Sequence, residues 1–154
     1  MQDNYPQMAL FWSVGCDTGY RVSDLLPLKV SDLITGHLSL VEAKTGKQKD
    51  AHLSNHTLTL ILNYVAKNAL KNDSHIFWCG HHEKGVRPVT RQYVWRIIKQ
   101  AGQMVGLPRL NLVHIRHVKH MRGESLLTLR HLTKHSKHSI IRINQPHLGM
   151  SKEV

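Results

Sequence analysis

Fourteen lysines and arginines lie between Lys84 and Lys152, where Glu124 is the single acid. Guanidinium groups stay charged at physiological pH, and their planar fork takes two phosphate oxygens at once. The first half is balanced, with seven basic residues from Met1 to His82 facing seven acids. Essentially all of the net charge of +11 therefore sits in the second half. Such an asymmetry is the footprint of a phosphate-binding surface, since a merely solvated face mixes both signs. Nucleic acid is favoured over a membrane, because the charge lies among polar, His-rich segments without a large apolar moment.

The thirteen histidines raise a metal question. His131 and His135 stand at i, i+4 on an expected helix, and His114, His117 and His120 repeat at i, i+3, i+6. Two histidines on one helix face can hold zinc. No Cys, Asp or Glu except Glu124 stands near to complete the set, so the solvated or phosphate-facing reading is preferred and no metal ligand is assigned. Cys16 and Cys79 form neither a spaced framework nor a CxxC pair, which suits a reducing cytoplasm.

The elements that must position these groups follow from patterning. A chain of 154 residues fits one domain with a real core, and no apolar run approaches a membrane span. Tyr5 to Cys16 predicts a helix, the Gly19 turn follows, and Val22 to Leu26 predicts a short second helix limited by Pro27. Lys29 to Leu33, Leu38 to Glu42 and Lys49 to Leu53 are strand-like, separated by Thr35-Gly36 and Thr45-Gly46, which predicts a small antiparallel sheet of three strands. Ser54 or Asn55 caps a helix with Leu58, Ile61, Leu62, Val65 and Ala69 on one face. Thr90 caps another, with Val94, Ile97, Ile98, Ala101 and Val105 inward. Trp12 and Trp95 are expected in the core. Two further helices are expected, Val113 to Arg122 and Ser125 to Lys134. The fold class is α+β, mostly helical.

The run Asp17-Thr18-Gly19-Tyr20-Arg21-Val22-Ser23-Asp24-Leu25-Leu26 closely resembles the first active-site box of the tyrosine recombinases, the phage integrase family. Taken alone, Arg21 would be a helix-start arginine paired with Asp17 or Asp24, and Lys44 a surface lysine of a hairpin turn. The order of the boxes over nearly the whole chain favours more. By resemblance, Arg21 is the first phosphate-binding arginine, and Lys44 in Glu42-Ala43-Lys44-Thr45-Gly46-Lys47 is the hairpin lysine that serves as general acid. Pro88-Val89-Thr90-Arg91 resembles the loop that opens a helix along the DNA backbone. Arg116-His117 resembles the end of the His-x-x-Arg-His box, and Leu132-Thr133-Lys134-His135-Ser136 the Leu-Gly-His-Ser box, with His135 as its histidine.

The resemblance implies residues 1–154 as a single integrase-like catalytic domain without the amino-terminal arm domain. It implies double-stranded DNA as partner, no metal or nucleotide cofactor, and a cytoplasmic setting in a bacterium, phage or mobile element. DNA contacts are expected from Lys47, Arg87, Arg91, His114, His117 and Lys134. A tail such as Pro146 to Val154 is the expected link to a second copy or another recombinase. Three positions depart from the pattern. Val113 stands at the first histidine of the second box, Lys134 replaces a glycine, and Asn144 occupies the place of the nucleophilic tyrosine, nine residues after His135. A carboxamide has no ionisable oxygen to attack phosphorus, whereas a phenol with a pKa near ~10 can be activated. Tyr5, Tyr20, Tyr64 and Tyr93 all precede the second box. The expectation is a DNA-binding, integrase-like domain for DNA integration and recombination, degenerate in strand cleavage. The alternative is an active subunit whose nucleophile comes from a partner or from another residue.

Overall fold

Helix α1, Tyr5–Thr18, buries nearly its whole circumference: Met8, Leu10, Phe11, Val14 and Cys16 are all in the core. A helix apolar all round belongs at the centre of a domain, and the other elements are built on it. A computed structural model describes residues 5–80 and 82–121. After α1 come α2 (Val22–Leu25), α3 (Val30–Leu33), β1 (His37–Val41), β2 (Gln48–His52), α4 (Asn55–Asn68), α5 (Arg91–Met104) and α6 (Leu112–Met121). Phe11 meets Phe77 edge to face at 4.9 Å. The buried amide of Gln7 donates to the Tyr64 hydroxyl and the Trp78 carbonyl, which ties α1 to α4 and to the segment before α5.

The described sheet has two strands, β1 and β2, antiparallel with Leu38 opposite Ala51 and Val41 opposite Gln48. The third expected strand, Lys29 to Leu33, is instead a helical turn, α3. Asp32 explains the difference, because its Oδ2 accepts the Lys29 amide at 2.8 Å and closes a cap at the start of that turn. Only Lys29 keeps a bridge, to His75. A lone hairpin is marginal in water, so this one depends on burying Leu38, Ala51 and Leu53 against the helices.

Helix α4 starts at Ser54, whose hydroxyl oxygen accepts the Thr57 amide at 3.2 Å and donates to Asp17 Oδ2 at 2.8 Å. The same carboxylate oxygen accepts the Ser54 amide at 2.9 Å, so Asp17 fastens α4 to the end of α1. Ser54→Ala is expected to cost about 1 kcal/mol, near the middle of the range for lost helix caps. A thermal melt checks it, and an unchanged midpoint would refute the role. The buried face of α4 is narrower than the spacing predicts: Ile61 and Thr57 are buried, Leu62 is exposed, and Ala69 lies past the helix with a left-handed φ of 52°.

Helix α5 is capped by Thr90, as expected, and buries Val94, Ile98 and Gly102. Trp95, expected in the core, lies on the outside, where the Lys99 ammonium covers its ring at 4.7 Å. It falls one residue past Val94, about 100° around the helix from the buried stripe. Val105, likewise expected inward, is exposed just beyond the last turn.

Candidate functional site

Gly19 takes a left-handed φ of 66°, ends α1 with an amide donated to the Gly15 carbonyl at 2.8 Å, and turns the chain. Tyr20 is then driven into the core, with its hydroxyl between the carbonyl oxygens of Lys49 (2.7 Å) and Leu38 (3.1 Å). One residue on, Arg21 is extended (φ −70°, ψ 153°) at the start of α2. The guanidinium therefore leaves the chain beside the hairpin. Its Nη1 lies 2.8 Å from Glu42 Oε2.

Glu42 follows β1, and its side chain is only 4% exposed. It continues the inward parity of Leu38 and Leu40 beyond the strand. Lys49, across the hairpin on the same face, places its ammonium 2.8 Å from Glu42 Oε1. Thr45 donates its hydroxyl to Oε2 at 2.8 Å. The turn is closed by the Glu42 amide donating to the Lys47 carbonyl and the Gly46 amide donating to the Glu42 carbonyl. Asp24, buried on α2, accepts the Ala43 amide at 3.1 Å and so ties that turn to the helix behind Arg21.

The other half of the site arrives on α6. Gly15 of α1 faces Ile115 so closely that a Cβ at position 15 would overlap the Ile115 Cγ2 methyl. This contact seats α6 against α1, and Arg116, the residue after Ile115, swings its Nη2 to 3.9 Å from Glu42 Oε1. Arg21 and Arg116, 95 positions apart, thus meet at one carboxylate. A cleft of about 220 Å³ opens beside them, lined by Tyr20, Arg21, Val22, Arg91, Val113 and Arg116. A larger groove of about 630 Å³, near Lys29, Asp73, His75 and Glu83, contains none of these arginines.

Three of the expected residues, Arg21, Arg91 and Arg116, are thus gathered at the cleft. Lys44 and Lys47 are exposed on the hairpin turn, and Arg87 is exposed in the loop before α5. His114, expected to face DNA, is buried: its Nδ1 accepts the Asn111 amide at 3.0 Å, while Asn111 Oδ1 accepts the Val113 amide at 2.8 Å. This reciprocal cap at the start of α6 turns the imidazole inward and leaves exposed Val113 toward the cleft. The backbone of His117 lies on α6. Lys134, His135, Asn144 and the 146–154 tail lie outside the described residues. Among the described residues, no three His, Cys, Asp or Glu side chains converge as a metal site.

Sequence reasoning missed Glu42, Lys49 and Asp24 as members of the cluster. For Glu42 a signal existed, since residues 38, 40 and 42 share one face. For Lys49 the matching signal is its parity with Ala51 and Leu53.

Electrostatics follow from the burial. Glu42 is held well below the ordinary carboxylate value, from 4.5 to about 2, chiefly by Lys49 and then by Thr45 and Arg21, against an opposing desolvation. Tyr20 is pushed from 10.0 to about 12 by desolvation and by the nearby Asp50, Asp24 and Glu42 carboxylates. Burial also raises Tyr64 and Tyr93. None of these three phenols is prepared to lose its proton as a nucleophile must.

The lowered Glu42 value means that its contribution to stability is complete above pH 4.5 and is lost as pH falls toward about 2. The raised Tyr20 value means that its contribution is complete below pH 10.0 and is lost as pH rises through about 12. Melting temperature measured from pH 5 down to pH 2 should fall less steeply in Glu42→Gln than in the parent. Parallel acid limbs would contradict this.

The chain matches the family described as "Phage integrase family" over residues 3–145. It is 30% identical over 132 residues to "Tyrosine recombinase XerA" of Pyrococcus furiosus, covering 82% of this chain and 45% of that protein. It is 27% identical over 134 residues to "Probable integrase/recombinase YoeC" of Bacillus subtilis, covering 82% and 70%. Among solved structures, a crystal structure of XerA recombinase superposes with a TM-score of 0.61 at 19% identity, over 76% of this chain and 42% of that one. A lambda integrase tetramer bound to a Holliday junction gives 0.56 at 20% identity, over 82% and 40%. These two likenesses speak for the fold. The chain spans less than half of XerA. Among the described residues, no helix is long and apolar enough to cross a membrane.

Proposed function

Because this chain belongs to the phage integrase family, we propose that it binds duplex DNA with one backbone phosphate seated at the cleft between Arg21 and Arg116, and that it serves DNA integration or recombination with strand cleavage impaired. The observation that carries this reading is the convergence of both guanidiniums on the Glu42 carboxylate, at 2.8 and 3.9 Å. A carboxylate presents two oxygens much as a phosphodiester presents its two non-bridging oxygens, and arginine forks suit either. Arg91 on the cleft wall and Lys44 and Lys47 on the hairpin turn extend the basic surface along the same polymer.

Cleavage in this chemistry needs a phenolate to attack phosphorus while an acid protonates the departing 5′ oxygen. In this reading Lys44, on the hairpin turn, would be that acid. The nucleophile is what the chain lacks: Asn144 stands at the tyrosine position, and the phenols of buried Tyr20 and half-buried Tyr64 hold their protons tightly. Val113 on the cleft wall removes a further imidazole from the phosphate's surroundings.

The second reading keeps the enzyme active with a nucleophile from a partner. The tetramer in the lambda integrase structure suits assembly with a second copy or with another recombinase, and only the latter could bring a nucleophile that this chain lacks.

Binding of a fluorescent duplex across a salt series tests the first reading. Six or more phosphate contacts would cost roughly 10³-fold or more in affinity between 50 and 200 mM salt. A flat response would exclude a phosphate-dominated interface. A nicked duplex, which traps covalent adducts, tests whether this chain carries a nucleophile of its own: no adduct is expected, and an adduct would establish one.

A further inference from the structure

Glu42 stands where a ligand's negative charge is expected. Its carboxylate is 4% exposed, while the Arg21, Lys49 and Arg116 side chains around it are 26%, 35% and 33% exposed. The acid thus sits behind the three cations, and they front the solvent. Three positive charges against the Glu42 and Asp24 carboxylates leave the cluster one unit in surplus, which a phosphodiester would offset. Among the described residues, Arg21 Nη1 and Glu42 Oε1 have close charge partners but no aligned hydrogen bond. Both are buried, where an unaligned polar atom is costly. A guanidinium has five N–H donors, so the Nη1 contact with Glu42 engages only part of the fork.

The carboxylate is also fixed in place. Thr45 donates to Oε2, and the Glu42 backbone is held on both sides by the bonds to Lys47 and Gly46 that close the turn. Asp24 holds the next amide, at Ala43. The arginines are therefore the movable partners and the acid the fixed one.

We propose that Glu42 is a positioning residue that assembles Arg21, Arg116 and Lys49 around an internal anion and competes with the incoming phosphate for the two arginines, thereby setting the affinity of the cleft. This rests on the phosphate-binding reading above. The assembled cluster spares DNA the cost of gathering two distant guanidiniums, and the competition keeps binding from becoming too tight for release.

Glu42→Gln separates this role from a purely structural one. In buffer without phosphate, the variant should melt lower than the parent, because three cations lose their counter-charge. Inorganic phosphate should then raise its melting temperature more than it raises the parent's. Duplex DNA should bind roughly tenfold tighter, the scale of about one unit charge near the site, with a salt slope steeper by about one. A variant that melts lower but gains nothing in phosphate response or duplex affinity overturns the proposal.

Lys49→Met covers the case in which Glu42→Gln does not fold. It leaves the carboxylate to the two arginines, so its phosphate-induced shift should be smaller than the parent's; an equal or larger shift overturns the proposal. If the parent binds no duplex, the DNA reading fails by itself, and the phosphate melts still decide the role of Glu42.

Discussion

Arg21→Ala and Arg116→Ala should each weaken duplex binding roughly ten- to a hundredfold, the scale of about 1.5–3 kcal/mol for hydrogen bonds to charged groups. Each should also reduce the salt slope by about one. The double variant should lose less than the two single losses combined. Two groups that share one anion are coupled, and deleting either already disorders the other's partner. Lys67→Ala, in the last turn of α4, serves as the control and should bind as the parent does. Anisotropy titrations at matched ionic strength read all four. Parent-like affinity and slope in either arginine variant would remove the cleft from the DNA interface.

Gly15→Ala should destabilise the fold by roughly 1–3 kcal/mol, the usual range for overpacking. The sign is the informative part. At an exposed helix position the same change stabilises by about 1 kcal/mol, because alanine forms helix better. Here the new methyl meets Ile115 Cγ2, with Leu25 Cδ1 at 3.4 Å on the other side. Helix α6 must withdraw from α1, and Arg116 withdraws with it. Duplex affinity should therefore fall although position 15 is not among the cleft-lining residues. Ile115→Ala removes the opposing methyl, so the double variant should be more stable than the sum of the two single changes predicts. Additive losses, or a rise in melting temperature for Gly15→Ala, would show that the helices do not depend on this contact.

Most of the helical frame was legible in the sequence because strong local signals agree with the packing. Ser54 and Thr90 cap where side-chain chemistry says they should, and the apolar density of Met8 to Val14 marks the central helix. The stretch from Lys29 to Leu33 was not legible. Its alternation suits a strand, and only the reach of Asp32 back to the Lys29 amide decides for a turn. Arg21 and Arg116 stand out in the sequence through the runs that surround them. Their meeting point does not, since Glu42 looks like an ordinary acid among lysines until the parity of β1 is carried one step past its end. Val113 and His114 show the same limit, because the choice between them rests on which one Asn111 and the start of α6 turn inward.

The hydroxyl of Tyr20 has one more consequence. It grips β1 through Leu38 and β2 through Lys49, while its own backbone is bonded directly to that of Arg21. The hairpin and this arginine form a single lever with its fulcrum in the core. In the DNA-binding reading proposed above, a duplex held by Lys44 or Lys47 at the tip would be joined through this one hydroxyl to the root of Arg21.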